Sequence, residues 1–265
     1  MENANLTKRS LPSDLTQMLT VTRYEILKHM RSKRVYGIAI IVVLIFVAYL
    51  AFPPLVGDDY PDDSFEIVSF FAGFVTLLIV VIASLFAGDA IVSEYQQRTG
   101  YLLFPNPVRK GTLFAGKFLA AVTMSAIILG IYYAGAAVIS LALAGDVIAE
   151  IGASFGLALL YTAAAISFGF LLSAAMKGGT AAIVLLFVTL LILMGIVAQL
   201  LMVGNIDPTF VLTVAGNVCV FILEDPYPTG DFIPEVLPAI ATMVAYLVGC
   251  YVIGFLLFRR REMVS

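Results

Sequence analysis

The sequence predicts an all-α integral membrane protein with six transmembrane helices, and three observations lead to this prediction. The 265 residues are 61% hydrophobic and only 12% charged, with a mean hydropathy of +1.02. Soluble domains average about 25% charged residues, so this chain lacks the charge to cover an ordinary soluble surface. The apolar residues gather in six long runs, and the basic residues fall in alternate intervals between them. An ordinary cytosolic enzyme and a disordered tail are therefore excluded.

The six predicted spans are apolar runs of about 20 residues, which is long enough for a helix to cross the hydrocarbon core. A transmembrane barrel is not expected, because its strands alternate apolar and polar residues whereas these runs are apolar throughout. Together the spans make residues 35–258 the transmembrane domain. The runs are approximately 35–52, 65–88, 118–144, 151–176, 180–203 and 236–258.

The basic residues predict the orientation, because Lys and Arg concentrate on the cytoplasmic side of membrane proteins. With six spans, all 15 basic residues fall on one side of the membrane, and most of the acidic residues fall in the opposite loops. Adding or removing one span would scatter these charges over both sides. We therefore expect a protein of the cell membrane with cytoplasmic N- and C-termini, the latter in a basic tail at residues 259–265.

The cytoplasmic N-terminus, residues 1–34, contains a predicted amphipathic helix at 13–34. Apolar side chains recur there at helical spacing on one side. We expect this helix to lie in the cytoplasmic interface, with its apolar face in the lipid and its cations near lipid phosphates. The alternative is a basic segment that only sets the topology. The cations in question are Arg23, Lys28, Arg31, Lys33 and Arg34.

Two connecting segments are unusual. The cytoplasmic segment 89–117 is polar but includes an apolar cluster at 101–104, which needs cover from the chain's own helices, the membrane or a partner. The external segment 204–235 contains a mostly apolar stretch at 210–223. An apolar stretch of 10–14 residues is typical of a re-entrant or interfacial helix rather than a span. We therefore predict a re-entrant external hairpin before the last span.

No catalytic, nucleotide, cofactor or metal site is expected in this chain, and nucleic acid is not an expected partner. The run 111–117 matches the GxxxxGK pattern of a phosphate-binding loop, but Phe118 replaces the hydroxyl that would hold Mg²⁺. The run also precedes a membrane span rather than opening a soluble strand–loop–helix unit. His29 is the only histidine and is predicted to lie far from Cys219 and Cys250, which disfavours a metal site or a nucleophile–histidine relay.

The span centres hold no ionisable residue, whereas ion-coupled carriers usually keep such residues inside their spans. Gln199 is the only amide within a predicted span, and it is the candidate residue for a transport pathway. Lipidic, apolar or small neutral cargo suits such spans better than strongly charged cargo. A cargo that never enters the lumen suits them as well.

Four short motifs flank and fill the second cytoplasmic segment: GDAIVSE at 88–94, RTGYLL at 98–103, PVRK at 107–110 and GKFL at 116–119. They resemble conserved stretches of the permease subunit of ATP-binding-cassette transporters of the type-2 exporter class. RTGYLL resembles that family's Gly-Thr-Leu-Glu-Leu-Leu pattern, although Thr99-Gly100 inverts the order and Tyr101 replaces an acidic residue. The six spans, the interface helix and the interrupted external hairpin resemble the same family.

The resemblance implies a non-catalytic permease that moves a substrate, mostly outward, with ATP hydrolysed by a separate ATPase subunit. Two permease chains, identical or different, would pair above two ATPase subunits that bind the ATP and Mg²⁺. The segment after the second span would form a short coupling helix that docks on the ATPase. The coupling residues implied by the resemblance are Glu94, Arg98, Thr99, Gly100, Tyr101, Leu102, Leu103, Phe104, Pro107 and Arg109.

Two other functions stay open at this point. The chain could be a membrane anchor or scaffold for an ATPase-driven machine that acts on another protein rather than moving cargo through a pore. It could also be a coupled secondary carrier, which the absence of charges inside the spans disfavours.

Overall fold

The computed structural model describes residues 13–57, 59–96, 109–224, 226–230 and 232–260. All regular elements in these ranges are helical, and six of the helices are long and apolar enough to cross a membrane, which confirms the predicted fold class. The helices are α1 (Asp14–Met30), α2 (Lys33–Val56), α3 (Ser64–Ala87), α4 (Val92–Gln96), α5 (Lys110–Leu143), α6 (Ile151–Ala175), α7 (Gly179–Val203), α8 (Leu212–Gly216), α9 (Val218–Phe221) and α10 (Val236–Arg260).

Contacts between helix ends show that α2 runs opposite to α3 and that α5 runs opposite to α10. Arg34 at the start of α2 bonds to Asp89 just after α3, and Lys110 at the start of α5 donates to the carbonyl of Arg259 in α10 at 3.3 Å. These four ends therefore lie together, and we call this side of the bundle the basic end. The predicted cytoplasmic segments meet here, as the alternation of six spans requires.

The centre of the bundle is α6, which packs against α3, α5 and α10. Phe170 of α6 lies against Phe114 and Phe118 of α5, with ring centroids 5.4 and 5.5 Å apart. Tyr251 of α10 contacts the same two rings at 5.1 and 5.0 Å. A glycine allows α10 to approach α6 closely, because a Cβ at Gly254 would lie 3.1 Å from the backbone of Leu171. Small residues at such crossings let helix backbones come together in membranes.

Two helix boundaries differ from the prediction. Helix α1 ends at Met30, so Lys33 and Arg34 belong to the first turn of α2 rather than to the interface helix. Helix α5 begins at Lys110 and not near residue 118, with Arg109 in extended conformation as its N-cap. Charge marks where the apolar part of a span begins, but a helix can continue beyond it into the polar interface. The first turns of α5 therefore extend past the apolar run.

The external apolar stretch is broken into a 3₁₀ turn at Pro208–Phe210 followed by the short helices α8 and α9, which pack on α6 and α10. Gly216 permits this packing, because a Cβ there would lie 2.7 Å from the ring of Tyr161. The hydroxyl of Ser154 in α6 also donates to the carbonyl of Cys219. The interruption matches the prediction, whereas re-entry of this segment into the membrane stays a prediction.

Candidate functional site

The most buried charge in the described part of the basic end is Lys117, whose side chain is only 3% exposed. Its ammonium lies 2.6 Å from a carboxylate oxygen of Glu25 in α1 and 2.7 Å from one of Glu94 in α4. We call these three residues the Lys117 cluster. It joins the interface helix, the short helix after the second span and the start of the third span at one point.

Helix α1 reaches Lys117 because it lies very close to α5. A Cβ at Gly116 would be 2.8 Å from the side chain of Val21, so only glycine fits here without a shift. The hydroxyl of Thr22 donates to the carbonyl of Gly116 at 3.2 Å. This close contact brings Glu25, one turn further along α1, to the Lys117 ammonium.

A second charge pair ties the first two spans together beside the cluster. The guanidinium of Arg34 forms a bidentate pair with the carboxylate of Asp89, with one hydrogen bond of 2.8 Å, and also donates to the carbonyl of Leu85 at 2.8 Å. Such fork-shaped pairs restrict both distance and angle. The start of α2 is therefore held against the end of α3.

The ionisation of Glu25 follows from its neighbours. Burial raises the pKa of its carboxyl, but the nearby ammonium groups of Lys117 and Lys28 outweigh that effect, so the pKa lies below its ordinary value. Glu25 is therefore charged at neutral pH and remains available to pair with Lys117. Without such partners a buried ammonium would cost roughly several kcal/mol of desolvation.

His29 lies one turn after Glu25 and is buried against the ring of Phe86, with ring centroids 4.8 Å apart. Burial lowers the pKa of this imidazole to about 4, and the cations Lys28, Lys117 and Arg34 lower it further against the opposing effect of Glu25. His29 is therefore neutral at physiological pH. His29 borders a polar cavity of about 180 Å³. Glu25 and Lys117 of the Lys117 cluster line the same cavity, as do Arg34 and Asp89.

The structure assigns different positions to the predicted coupling residues. Glu94 belongs to the Lys117 cluster, and Arg109 forms an exposed ion pair with Asp14 of α1 at 2.6 Å. Their role in coupling stays a prediction. The other predicted coupling residues lie outside the described ranges: Arg98, Thr99, Gly100, Tyr101, Leu102, Leu103, Phe104 and Pro107.

One face of the interface helix packs on the protein, and another face is exposed. Met18, Thr22 and His29 face α5 or the bundle, while Leu15 and Leu19 are 63% and 51% exposed beside them. An apolar face therefore remains open to lipid. Among the predicted lipid-facing cations, Arg34 is instead half-buried on Asp89, and Lys28 pairs with Glu25 at 3.3 Å. The other three are exposed: Arg23, Arg31 and Lys33.

Gln199, the predicted pathway residue, is exposed on α7 and lines a cavity of about 300 Å³. Thr76 of α3 and Asn217 between α8 and α9 supply further polar groups to the same cavity. A π-helical segment at Thr189–Leu193 precedes Gln199 on α7 and also lines the cavity. Such π segments are rare and occur often at functional sites.

The phosphate-loop match at 111–117 is helical from end to end, since it lies within α5. Its later N–H groups bond within the helix, so the run cannot wrap a phosphate as a glycine-rich loop does. Its lysine is Lys117, which is bound by two carboxylates instead. The absence of a nucleotide site in this chain stays a prediction.

The sequence did not identify Lys117, Glu25, Asp89 and His29 as members of one site. A usable signal existed, because the acids that follow the second span and the lysine before the third must meet at the same end of the bundle. The partner Glu25 had no such signal, since its contact with Lys117 depends on how α1 docks.

A known protein family matches most of the chain. The family model described as "ABC-2 family transporter protein" matches residues 19–263. The match begins within α1 and includes α10, so it covers the bundle and the Lys117 cluster. A search of curated proteins found no significant match.

We predict that Lys117→Met strongly destabilises the fold, because it removes the buried cation against which the carboxylates of both Glu25 and Glu94 lie. Removing one partner of a buried ion pair costs about 3–5 kcal/mol. Thermal and denaturant unfolding of the purified protein in detergent measures the loss. Adding Glu25→Gln and Glu94→Gln to Lys117→Met should restore most of the stability. Lys177→Met, at an exposed lysine, is the control, and equal effects at both lysines would contradict the prediction.

We predict that the fold loses stability as the pH falls from 6.5 towards 4, because the buried imidazole of His29 resists protonation. His29 is the only histidine of the chain, so no other imidazole contributes. In this window the unfolded state binds a proton that the folded state, with the pKa of His29 at about 4, does not bind. The loss between pH 7.5 and 5.5 should be about 1 kcal/mol. His29→Gln should remove this slope when unfolding is followed across that range. The same slope in both proteins would show that His29 is not its source.

Proposed function

The chain belongs to the ABC-2 family of transporter proteins, and we propose that it is the permease subunit of an ABC transporter. In this proposal it is a non-catalytic, multi-pass membrane subunit that moves a substrate outward across the cell membrane. A separate ATPase subunit, present in two copies, binds ATP and Mg²⁺ and supplies the energy. The family match gives no support to the alternative of a membrane anchor.

The observation that carries the proposal is the position of the Lys117 cluster. Residues 97–108 connect α4 to α5, and they include most of the predicted coupling residues. The ion pair from Glu94 to Lys117 links the two ends of this connection at 2.7 Å. A movement imposed on the connection by an ATPase would therefore act on α4 and α5 together. The pair from Lys117 to Glu25 extends the same action to α1.

The charge pairs also define what would move as a unit. Asp89 follows α3 and holds Arg34 of α2, while the Lys117 cluster holds α1 and α5. These contacts are short, and Lys117 is almost fully buried, so breaking them is costly compared with moving the group together. We infer that ATP-driven closure of the ATPases shifts this group against α6, α7 and α10, and that the outer half of the bundle opens in response.

The orientation follows from the distribution of charge. In the proposed orientation the basic end faces the cytoplasm and both termini are inside, as the excess of Lys and Arg at this end supports. The exposed apolar residues of α1, such as Leu15 and Leu19, would then lie in the inner leaflet interface. The ATPases would bind beneath this end.

A second permease chain would complete the pathway on the face that contains Gln199. Gln199, Thr76 and Asn217 place amide and hydroxyl groups on a cavity that is open to the outside of the chain, beside the spans α3 and α7. Polar side chains in a membrane favour association with another helix over exposure to lipid. We therefore infer that two chains, identical or different, meet here and enclose cargo that is lipidic, apolar or small and neutral.

We predict that Leu102→Asp combined with Leu103→Asp releases the ATPase without unfolding the spans, because it places charge in the apolar part of the coupling segment. Co-purification of the ATPase and stimulation of its activity should both fall at least tenfold, with little change in the unfolding midpoint. The matched control combines Leu55→Asp with Leu237→Asp, which are 81% and 78% exposed at the opposite end of the bundle. Unchanged co-purification in the first variant would contradict the coupling assignment.

We predict that Gln199→Cys forms a disulfide between two permease chains in native membranes under mild oxidation. The two native cysteines are buried, so they should not contribute a cross-linked band. Val43→Cys on α2, which is 57% exposed away from the cavity, is the control and should stay monomeric. Equal cross-linking at both positions, or cross-linking at Val43 alone, would place the seam between chains elsewhere.

A further inference from the structure

A second cavity, with a charged mouth and a mostly apolar lining, lies at the basic end, apart from the Lys117 cluster. It measures about 570 Å³ and opens where the start of α1, the start of α5 and the end of α10 come together. The Lys117 cluster lies outside it, and Arg109 is the one described coupling candidate that lines it. Its lining includes Asp14, Arg109, Lys110, Thr112, Phe255 and Arg259.

The charge of this cavity is positive, because it contains three cationic side chains and a single carboxylate among its lining residues. Asp14 is engaged by Arg109 in an exposed pair at 2.6 Å. Lys110 donates to the backbone carbonyl of Arg259 at 3.3 Å, which holds the Lys110 ammonium at the end of α10, and Arg259 lines the same cavity. The arrangement favours an anion that can accept several hydrogen bonds.

Below the cations the wall becomes apolar and continues along α10. Phe255 forms the floor, and Val252 and Val248 follow on the same helical face at 47% and 56% exposure. Residues at this spacing lie one above another on a helix. A charged mouth therefore opens directly onto an exposed apolar strip in the membrane.

We propose that this cavity binds the phosphate group of an anionic phospholipid from the cytoplasmic leaflet. The phosphate would lie between Lys110 and Arg259, and an acyl chain would lie along Phe255, Val252 and Val248. Basic pockets between transmembrane helices on the cytoplasmic side bind anionic headgroups in this way. The apolar strip distinguishes a lipid from a soluble phosphate or an acidic protein surface, neither of which would cover it. The bound lipid would bridge α5 and α10.

The test uses the purified full-length chain in neutral detergent, with unfolding midpoints measured during titration with dioleoyl phosphatidylglycerol. We expect a saturable rise of several degrees that dioleoyl phosphatidylcholine and inorganic phosphate do not reproduce. Lys110→Gln combined with Arg259→Gln should weaken apparent binding by about 25-fold, because each cation near an anionic headgroup contributes about fivefold. Lys110→Arg combined with Arg259→Lys keeps both charges and should keep the response.

The control for a diffuse charge effect combines Arg260→Gln with Lys177→Gln, which removes two exposed cations from the same side of the bundle that do not line the cavity. This control should retain the phosphatidylglycerol response. The proposal is overturned if the control loses the response as much as the site variant does, or if the site variant retains it. A rise produced equally by inorganic phosphate overturns the lipid assignment. Loss of ATPase co-purification in the site variant, with its lipid response intact, assigns the cavity to the ATPase instead.

Discussion

The structure of the basic end depends on the burial of one lysine. Lys117 is almost fully enclosed near the boundary of the membrane, where an ammonium without partners would be strongly destabilising. It is stabilised there by Glu25 and Glu94, whose carboxylates both lie against its ammonium. These two ion pairs set the position of α1 on α5 and of α4 beside them. Gly116 and Thr22 serve the same contact, since they allow α1 to lie close enough for Glu25 to reach.

Apolar packing and charge pairs lie in different parts of the bundle. The interior of the bundle is built from apolar and aromatic packing around α6, where several hydroxyl groups donate to nearby carbonyls, as in the bond from Ser167 to Leu247 at 2.7 Å. Charge pairs among the described residues concentrate at the basic end.

Much of the fold could be predicted because long apolar runs and the placement of basic residues are local features of a sequence. The six spans, the shared basic end and the interruption of the external stretch at 210–223 follow from them. The start of α5 at Lys110 could not be predicted, since hydropathy marks the membrane and not the helix. The pairing of Lys117 with Glu25 depends on the docking of α1, which no local pattern determines. The burial of His29 against Phe86 follows from the same docking, so it could not be predicted either.

The central claim is that the Lys117 cluster makes α1 and α5 move as one body when the ATPase acts. It is tested most directly by electron-spin distance measurement between labels at Arg23 in α1 and Leu119 in α5, with both native cysteines replaced, in the complex with its ATPase. The account predicts one narrow distance distribution that is the same with and without ATP and that broadens with Lys117→Met. A distance that changes on ATP binding in the otherwise unaltered chain, or a distribution that Lys117→Met leaves narrow, would contradict it.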